Sequence, residues 1–96
     1  MSEQLSSRAV RNDTALHRYE LAVDGAIAFA NYRLAPGAVI ITHTETPPQL
    51  RGRGIASTLV RGALEQIRSG GLKVVAGCGF VADYLEKHPE EQDLLA

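Results

Sequence analysis

The stretch Gln49-Leu50-Arg51-Gly52-Arg53-Gly54-Ile55-Ala56 divides this chain into two different sequence patterns. Before it, apolar and polar residues alternate with the period of β-strands, and after it apolar residues recur with the spacing of a helix. Two glycines one residue apart, directly before a helix, allow a tight turn that points several backbone N–H groups in one direction. A helix N-terminus favours a phosphate, and Arg51 and Arg53 can add charge-assisted hydrogen bonds. The stretch therefore predicts an anion site.

Other phosphate-binding motifs fit this turn poorly. A Walker A loop requires Gly-Lys-Ser/Thr after its glycines, whereas Ile55-Ala56-Ser57 follow here. A dinucleotide fingerprint requires a third glycine at the position of Ser57 and a carboxylate at the end of the next strand, where Gly77-Cys78 stand. The remaining alternative is a helix start that merely uses glycines in its turn.

A hairpin is predicted upstream of the glycine turn. Residues 19–23 alternate between large apolar and other side chains, which indicates a strand with one buried face. Asp24-Gly25 favours a type I′ turn, since both central residues of that turn need positive φ. The returning strand is predicted over residues 26–34, with Ile27 and Phe29 facing inward.

The rest of the chain continues as strand, helix, strand and helix. A third strand is predicted over residues 38–46, and Pro47-Pro48 ends it because proline cannot donate to a strand ladder. The apolar spacing over residues 55–67 predicts an amphipathic helix, and Gly70-Gly71 stops it. A short strand over 72–76 and a helix over 80–87 follow. The order β-β-β-α-β-α predicts an α+β fold with a mainly antiparallel sheet flanked by helices.

Length and composition limit the domain count and the cellular context. The 96 residues suffice for one domain, predicted over 15–96 after a flexible N-terminus at 1–14. One cysteine excludes an internal disulfide and fits a reducing compartment. A polar N-terminus and the lack of an apolar run near ~18 residues argue against export and membrane insertion. We therefore expect a cytoplasmic protein, either a monomer or a weak homodimer.

Charge distribution bears on the partners. A net charge of −1 argues against nucleic acid as the main partner. Basic residues concentrate around and after the glycine turn, which suits a small anion. The acidic C-terminal segment is either an ordinary solvated surface or a surface that attracts cationic substrates. No spacing of Cys and His residues predicts a metal site.

The glycine turn resembles the Gln/Arg-x-x-Gly-x-Gly/Ala signature of the GNAT superfamily of acetyl-CoA-dependent N-acetyltransferases, and the chain is similar to its minimal GNAT-like members from about Ala15 to Leu95. Gly79 departs from the proline expected in many relatives, which loosens the expected loop around Cys78. The further segments that carry the resemblance are His43-Thr44-Glu45, Gly71-Leu72-Lys73-Val74-Val75, Cys78-Gly79-Phe80-Val81, Tyr84 and His88-Pro89.

The resemblance implies a truncated GNAT-like fold that uses acetyl-CoA, with coenzyme A as product, and no metal. It also implies an amine acceptor, such as a basic peptide or a small amine. The residues that it implies for coenzyme binding are Thr44, Thr46, Gln49, Leu50, Arg51, Gly52, Arg53, Gly54, Ile55, Ala56 and Phe80.

Four residues are candidates for the transfer chemistry. His43 has an unperturbed pKa suited to take a proton near neutrality, and Glu45 on the same strand face can orient it or act as the base. Both also fit a structural or solvated strand end. Cys78 is either a nucleophile, a channel-lining residue or a small buried hydrophobe. The resemblance places active-site residues at His43 and Cys78, and Tyr84 roughly matches a tyrosine that protonates the thiolate, although a core position fits it as well.

Three functions follow from this sequence. The first is acetyl transfer from acetyl-CoA to an amine by direct attack. The second is a non-catalytic coenzyme A or acyl-CoA-binding module, because the chain is short and lacks sequence for elements that would wall an acceptor site. The third is an interaction domain that kept the fold and lost the ligand, which the intact glycines and arginines disfavour.

Overall fold

A computed structural model describes residues 6–96. Short 3₁₀ helices cover Ser7–Ala9, Pro48–Leu50 and Pro89–Leu94. The strands and α-helices are β1 (Arg11–Asp13), β2 (Arg18–Val23), β3 (Ala26–Ala35), β4 (Ala38–Glu45), α1 (Ile55–Ser69), β5 (Lys73–Ala76) and α2 (Gly79–Lys87). The five strands lie in the sheet in the order β1-β2-β3-β4-β5.

The predicted fold class is confirmed. Strands β1 to β4 pair antiparallel, and only β5 runs parallel to its neighbour β4. That parallel pair needs a crossover, which α1 supplies. Buried side chains of α1 and α2 share one hydrophobic core with one face of the sheet. No helix among residues 6–96 is long and apolar enough to cross a membrane.

The β2–β3 hairpin has the predicted type I′ turn, but the predicted inward face of β3 is wrong. Asp24 and Gly25 both have positive φ, 51° and 78°. The two-residue turn pairs Leu21 with Ala28, and Ala28 is buried whereas Ile27 is 42% exposed. Phe29 likewise lies on the outer face and is half-buried. Since residues directly opposite each other share a face, the register buries the smaller residues.

Strand β1 was not predicted. It pairs antiparallel with β2, and the residue before it, Val10, is buried. Three polar residues carry no apolar alternation, so the sequence pattern gave no sign of a strand. The flexible segment expected at residues 1–14 lies partly outside the described residues; residues 6–14 contain the first 3₁₀ helix and β1.

The C-terminal segment packs back on the domain. The helix predicted over 80–87 begins one residue earlier, at Gly79. The 3₁₀ helix after it buries Leu94 in the core, and Leu95 forms a parallel bridge with Val74 on the outer edge of β5. The tail thereby covers part of an edge strand that would otherwise expose unpaired backbone groups.

Candidate functional site

The glycine turn forms an open loop between β4 and α1. Gly52 and Gly54 have φ values of 79° and 72°, a region that side chains other than glycine rarely adopt. A Cβ atom built on either residue would meet nothing within 4 Å among residues 6–96. Within this part of the chain, both glycines are therefore required by backbone conformation and not by packing.

The start of α1 presents backbone donors at the end of this loop. The first bond of the helix joins the Thr58 N–H to the Gly54 carbonyl at 3.1 Å, so the N–H groups of Ile55, Ala56 and Ser57 have no acceptor within the helix. The helix dipole adds partial positive charge at the same point. These donors border a cavity of about 240 Å³. Its lining residues are Thr46, Leu50, Arg51, Gly52, Gly54, Ile55, Ala56, Ser57 and Phe80.

The two arginines of the turn point to different places. Arg51 lines the cavity, and its Nε donates to the Thr46 carbonyl at 3.4 Å. Arg53 donates instead to Asp24 Oδ2, at 2.8 Å, in the β2–β3 turn. Gln49 is exposed and is not part of the cavity lining. Of these three predicted anion ligands, the structure brings only Arg51 to the cavity.

Strands β4 and β5 part next to this cavity. Their register ends at the pair Ile41 and Ala76, and the Gly77 N–H donates to the Ile41 carbonyl at 2.8 Å. Beyond that bond, the contact across the gap is between side chains: Thr44 Oγ1 lies 3.3 Å from Cys78 Sγ. Among residues 6–96, no backbone hydrogen bond joins β4 to the segment after β5 beyond Gly77.

A bulge in β4 reverses which face of the sheet its later residues occupy, so that His43 does not share a face with Ile41. Tyr32 pairs with Ile41, and Asn31 pairs with His43, so Thr42 has no register partner on β3, although its hydroxyl donates to the Asn31 carbonyl at 3.3 Å. Because directly opposed residues share a face, Thr44 lies on the helix-covered face with its partner Ala30. His43 lies on the outer face.

His43 and Glu45 form a hydrogen-bonded pair on the outer face. Nε2 of His43 lies 2.9 Å from Oε1 of Glu45, and the two side chains are 56% and 43% exposed. They stand opposite Asn31 and Phe29 of β3. An ionised carboxylate only accepts, so Nε2 carries the shared hydrogen and the neutral ring keeps an acceptor at Nδ1. This arrangement leaves a proton acceptor open to solvent.

Cys78 is half-buried at the residue before α2. Its sulfur contacts the Thr44 hydroxyl, which can either donate to a thiolate or accept from a thiol. His43 contacts Glu45 and not this sulfur. Two of the four predicted catalytic residues, His43 and Cys78, thus belong to separate hydrogen-bonded pairs, with Glu45 on the outer face and with Thr44 on the helix-covered face.

Tyr84 is buried in the core, 4% exposed, and lies outside the cavity lining. Its ring stacks on His88 with 3.9 Å between centroids, and His88 Nδ1 lies 2.7 Å from the Tyr84 carbonyl. The stacked pair closes the C-terminal end of α2. Phe80, one helical turn earlier, is 40% exposed and lines the cavity.

The acidic C-terminal segment is largely paired within the domain. Arg68 donates to Asp93 at 2.7 and 3.0 Å and to Glu91 at 3.0 Å. These bonds, chiefly that to Asp93, raise the pKa of Arg68 above its ordinary value, and the bond from Arg68 lowers the pKa of Asp93. Asp83 pairs with Lys87 at 3.0 Å. The segment therefore carries less free negative charge than its sequence indicates.

Three residues of this region were not predicted. Ser57 lines the cavity, and its place in the first helical turn was the available signal. Asn31 faces His43, and Asp24 reaches Arg53, through contacts that span 12 and 29 positions of the chain. Such pairings depend on register, so the sequence alone offered no signal for them.

The chain is similar in sequence to one family of known proteins. The profile described as GCN5-related N-acetyl-transferase matches residues 18–94. The chain is 29% identical over 93 residues to Protein NATD1 of Xenopus tropicalis, covering 93% of this chain and 84% of that protein. It is 38% identical over 56 residues to Protein NATD1 of Gallus gallus, covering 58% of this chain and 51% of that protein. The match thus spans about half the length of the Gallus gallus relative.

A solved structure has the same fold. The NMR solution structure of a GCN5-like protein from Staphylococcus aureus superposes with a TM-score of 0.71 at 26% sequence identity. The superposition covers 95% of this chain and 90% of that one. The similarity in fold therefore extends over nearly the whole chain.

Proposed function

Because this chain belongs to the GCN5-related N-acetyl-transferase family, we propose that it binds acetyl-CoA and transfers the acetyl group to an amine. One observation carries the proposal: the donor-lined cavity at the start of α1 opens beside the gap between β4 and β5. A pyrophosphate joined to a narrow arm that ends in a thioester matches this combination. The chemistry that the coenzyme supplies is an activated acetyl group.

The cavity residues are suited to hold the pyrophosphate. Backbone N–H groups from Gly52 to Ser57 supply donors, and the helix dipole and Arg51 supply positive charge. Phe80 offers an apolar wall where the arm leaves the cavity. The arm then runs through the gap past Thr44 and Cys78, and unpaired N–H groups of β4 polarise the thioester carbonyl.

Transfer is proposed to proceed by direct attack. The amine nitrogen bonds to the carbonyl carbon, the carbon–sulfur bond breaks, and the sulfur leaves with the bonding electrons. His43 takes the proton from the amine on Nδ1 while Glu45 orients the ring through Nε2. The departing thiolate takes a proton from water or from the Tyr84 hydroxyl, so that coenzyme A leaves as the thiol. The amine enters from the outer face, where His43 and Glu45 are exposed.

The exposure of that face also favours the second candidate, a non-catalytic acyl-CoA-binding module. More than half of the His43 side chain is exposed, and residues 6–96 provide no helix over the outer face to enclose an acceptor. A module of this kind needs the cavity at the start of α1 and the gap between β4 and β5, but it does not need His43. Binding and transfer must therefore be tested separately.

Binding is tested by calorimetric titration with acetyl-CoA, coenzyme A and dephospho-coenzyme A. Gly54→Ala is expected to abolish or strongly weaken binding, because it strains the turn and puts a methyl group into the cavity. Gly71→Ala is the matched control: Gly71 has the same φ of 72° and equally open surroundings, but lies after α1. Equal affinity in both variants would argue against both candidate functions.

Transfer is tested with a panel of basic peptides, polyamines and small amines. His43→Ala is expected to lower kcat by roughly 10²–10⁴-fold, the usual contribution of a general base, with acetyl-CoA affinity retained. Acetyl-CoA binding without turnover in wild-type protein favours the non-catalytic module.

Two further variants assign the remaining candidates. Cys78→Ala is expected to retain transfer if the thiol only lines the arm, and a labelled acetyl-Cys78 intermediate in wild-type protein would establish a covalent route instead. Tyr84→Phe keeps the stacked ring and removes the hydroxyl. Unchanged kcat then indicates a packing role, whereas a fall in kcat indicates that Tyr84 donates the proton to the thiolate.

A further inference from the structure

We propose that Asp24, at the tip of the β2–β3 hairpin, is a positioning residue for the glycine turn and acts through Arg53. The inference rests on the proposed coenzyme binding at that turn. It adds a residue that lies 25 positions before Gln49 in the chain and carries no recognisable motif.

The contact between the two residues is direct. Arg53 NH1 donates to Asp24 Oδ2 at 2.8 Å, and the side chains are 37% and 53% exposed. Arg53 is absent from the lining of the cavity, whereas its neighbours Gly52 and Gly54 are part of it. The guanidinium is therefore directed toward the hairpin, and the backbone on either side of it faces the cavity.

The hairpin provides a firm anchor. The β2–β3 pairing continues to Val23 and Ala26, the residues that flank the two-residue turn. Type I′ turns accept Asn-Gly as well as Asp-Gly, so the turn does not require a carboxylate at position 24. The negative charge of Asp24 is accounted for by the ion pair with Arg53.

The glycine turn benefits from such an anchor. Arg53 stands between two glycines that lack side chains and touch nothing at the Cβ position. Glycine loses more backbone entropy on ordering than any other residue, and ordering of a loop on binding lowers affinity. The bond to Asp24 holds the middle of the turn in the conformation that binds, so less order has to be gained when a phosphate arrives.

The test compares Asp24→Asn with wild type. Asparagine tolerates the positive φ of 51° at this position, so the change removes the charge without straining the turn. We expect the Kd for acetyl-CoA to rise about two- to fivefold, the range that an exposed ion pair contributes. The matched control is Asp83→Asn, which removes a carboxylate of similar exposure, 56%, from the ion pair with Lys87. Its Kd is expected to stay at the wild-type value.

A double-mutant cycle shows whether Asp24 acts through Arg53. In an Arg53→Gln background, Asp24→Asn should have no further effect on Kd. In ligand-free protein, Asp24→Asn should lower the NMR order parameters of Gly52 and Gly54. Its thermal unfolding midpoint should fall no further below the wild-type value than that of Asp83→Asn. If Asp24 had a purely structural role, Asp24→Asn would lower the thermal unfolding midpoint. The effects of Asp24→Asn and Arg53→Gln on Kd would then be additive.

The outcomes separate this inference from the proposed function. Wild-type protein that fails to bind acetyl-CoA would overturn the proposed function and the positioning role together. Wild-type binding with unchanged Kd and unchanged order parameters in Asp24→Asn would overturn the positioning role alone. A tighter Kd in Asp24→Asn would also overturn it, since Asp24 would then compete with the phosphate for Arg53.

Discussion

At the scale of single residues, glycines shape the candidate site in two different ways. Gly52 and Gly54 are needed for their positive φ, and their surroundings are open. Gly77 is needed for space, because a Cβ atom there would lie 2.8 Å from the Ile41 carbonyl oxygen. That close approach sets the point at which β4 and β5 separate.

Gly77→Ala is expected to destabilise the fold by about 1–3 kcal/mol, since backbone must move to make room for the methyl group. It is also expected to widen the gap and weaken acetyl-CoA binding. Gly79→Ala is the control, because a Cβ at Gly79 meets nothing within 4 Å and the residue is helical. Urea unfolding measures both, and equal stability of the two variants would contradict the packing argument.

Tyr19 makes a pH-dependent contribution to stability. Burial, and then the charge of Tyr32, raise its pKa to about 12, above the ordinary value of about 10. Because the pKa of Tyr19 is higher in the folded protein than in the unfolded protein, its contribution to stability is complete at pH values below the unfolded-state pKa. The contribution is lost as the pH rises through the folded-state pKa. We expect one of the three tyrosines to titrate near 12, and Tyr19→Phe to remove that step from an absorbance titration.

At the scale of elements, the N-terminal segment and α1 fit together at one glycine. Gly62 lies in the middle of α1 and is buried, and a Cβ there would collide with Val10 and lie 2.5 Å from the Ser7 carbonyl oxygen. Gln66 Nε2 donates to the Val10 carbonyl at 2.7 Å. These contacts explain why a residue that weakens helices stands inside α1 and how β1 is held at the sheet edge.

Gly62→Ala tests this docking through the sign of its effect. In an exposed helix the change would stabilise by about 1 kcal/mol, whereas here it is expected to destabilise and to release β1 from β2. Faster amide exchange in residues 11–13, measured by NMR, reports the release. Gly70→Ala serves as the control, because its Cβ would make only ordinary contacts, the nearest 3.5 Å from the Gln66 carbonyl oxygen.

At the scale of the whole molecule, the core lies on one face of the sheet. Leu21 is 1% exposed within that core, whereas Ile27 on the opposite face is 42% exposed. The outer face carries His43 and Glu45, so the proposed acceptor side and the helix-covered side lie on opposite faces of the sheet and meet at the gap between β4 and β5.

Matched truncations on neighbouring strands check this assignment. Leu21→Ala is expected to cost about 2–5 kcal/mol, the range for buried aliphatic side chains, and Ile27→Ala less than about 1 kcal/mol. Urea unfolding provides both values. A large loss for Ile27→Ala would instead favour the inward-facing position that the sequence pattern indicated.

Local patterns in the sequence were enough to predict most of the elements and the glycine turn that borders the candidate site. Alternation marked β2, apolar spacing marked α1, and Asp24-Gly25 marked the hairpin turn. These features rest on interactions within a few residues, such as turn conformation and helix periodicity. The glycine turn was predictable for the same reason, because the donors of a helix N-terminus are set by the helix itself.

Only the tertiary structure decided how distant segments meet. The register of β3 turned Ile27 outward, and the bulge at Thr42 placed His43 on the face opposite Ile41. The partner of Arg53 is a hairpin residue 29 positions away. A shift of one residue in strand register reverses every side chain, and the amino-acid pattern of one strand does not contain the register of its neighbour. The sequence by itself therefore determined the parts of the candidate site, and the pairing of strands determined which of those parts face each other.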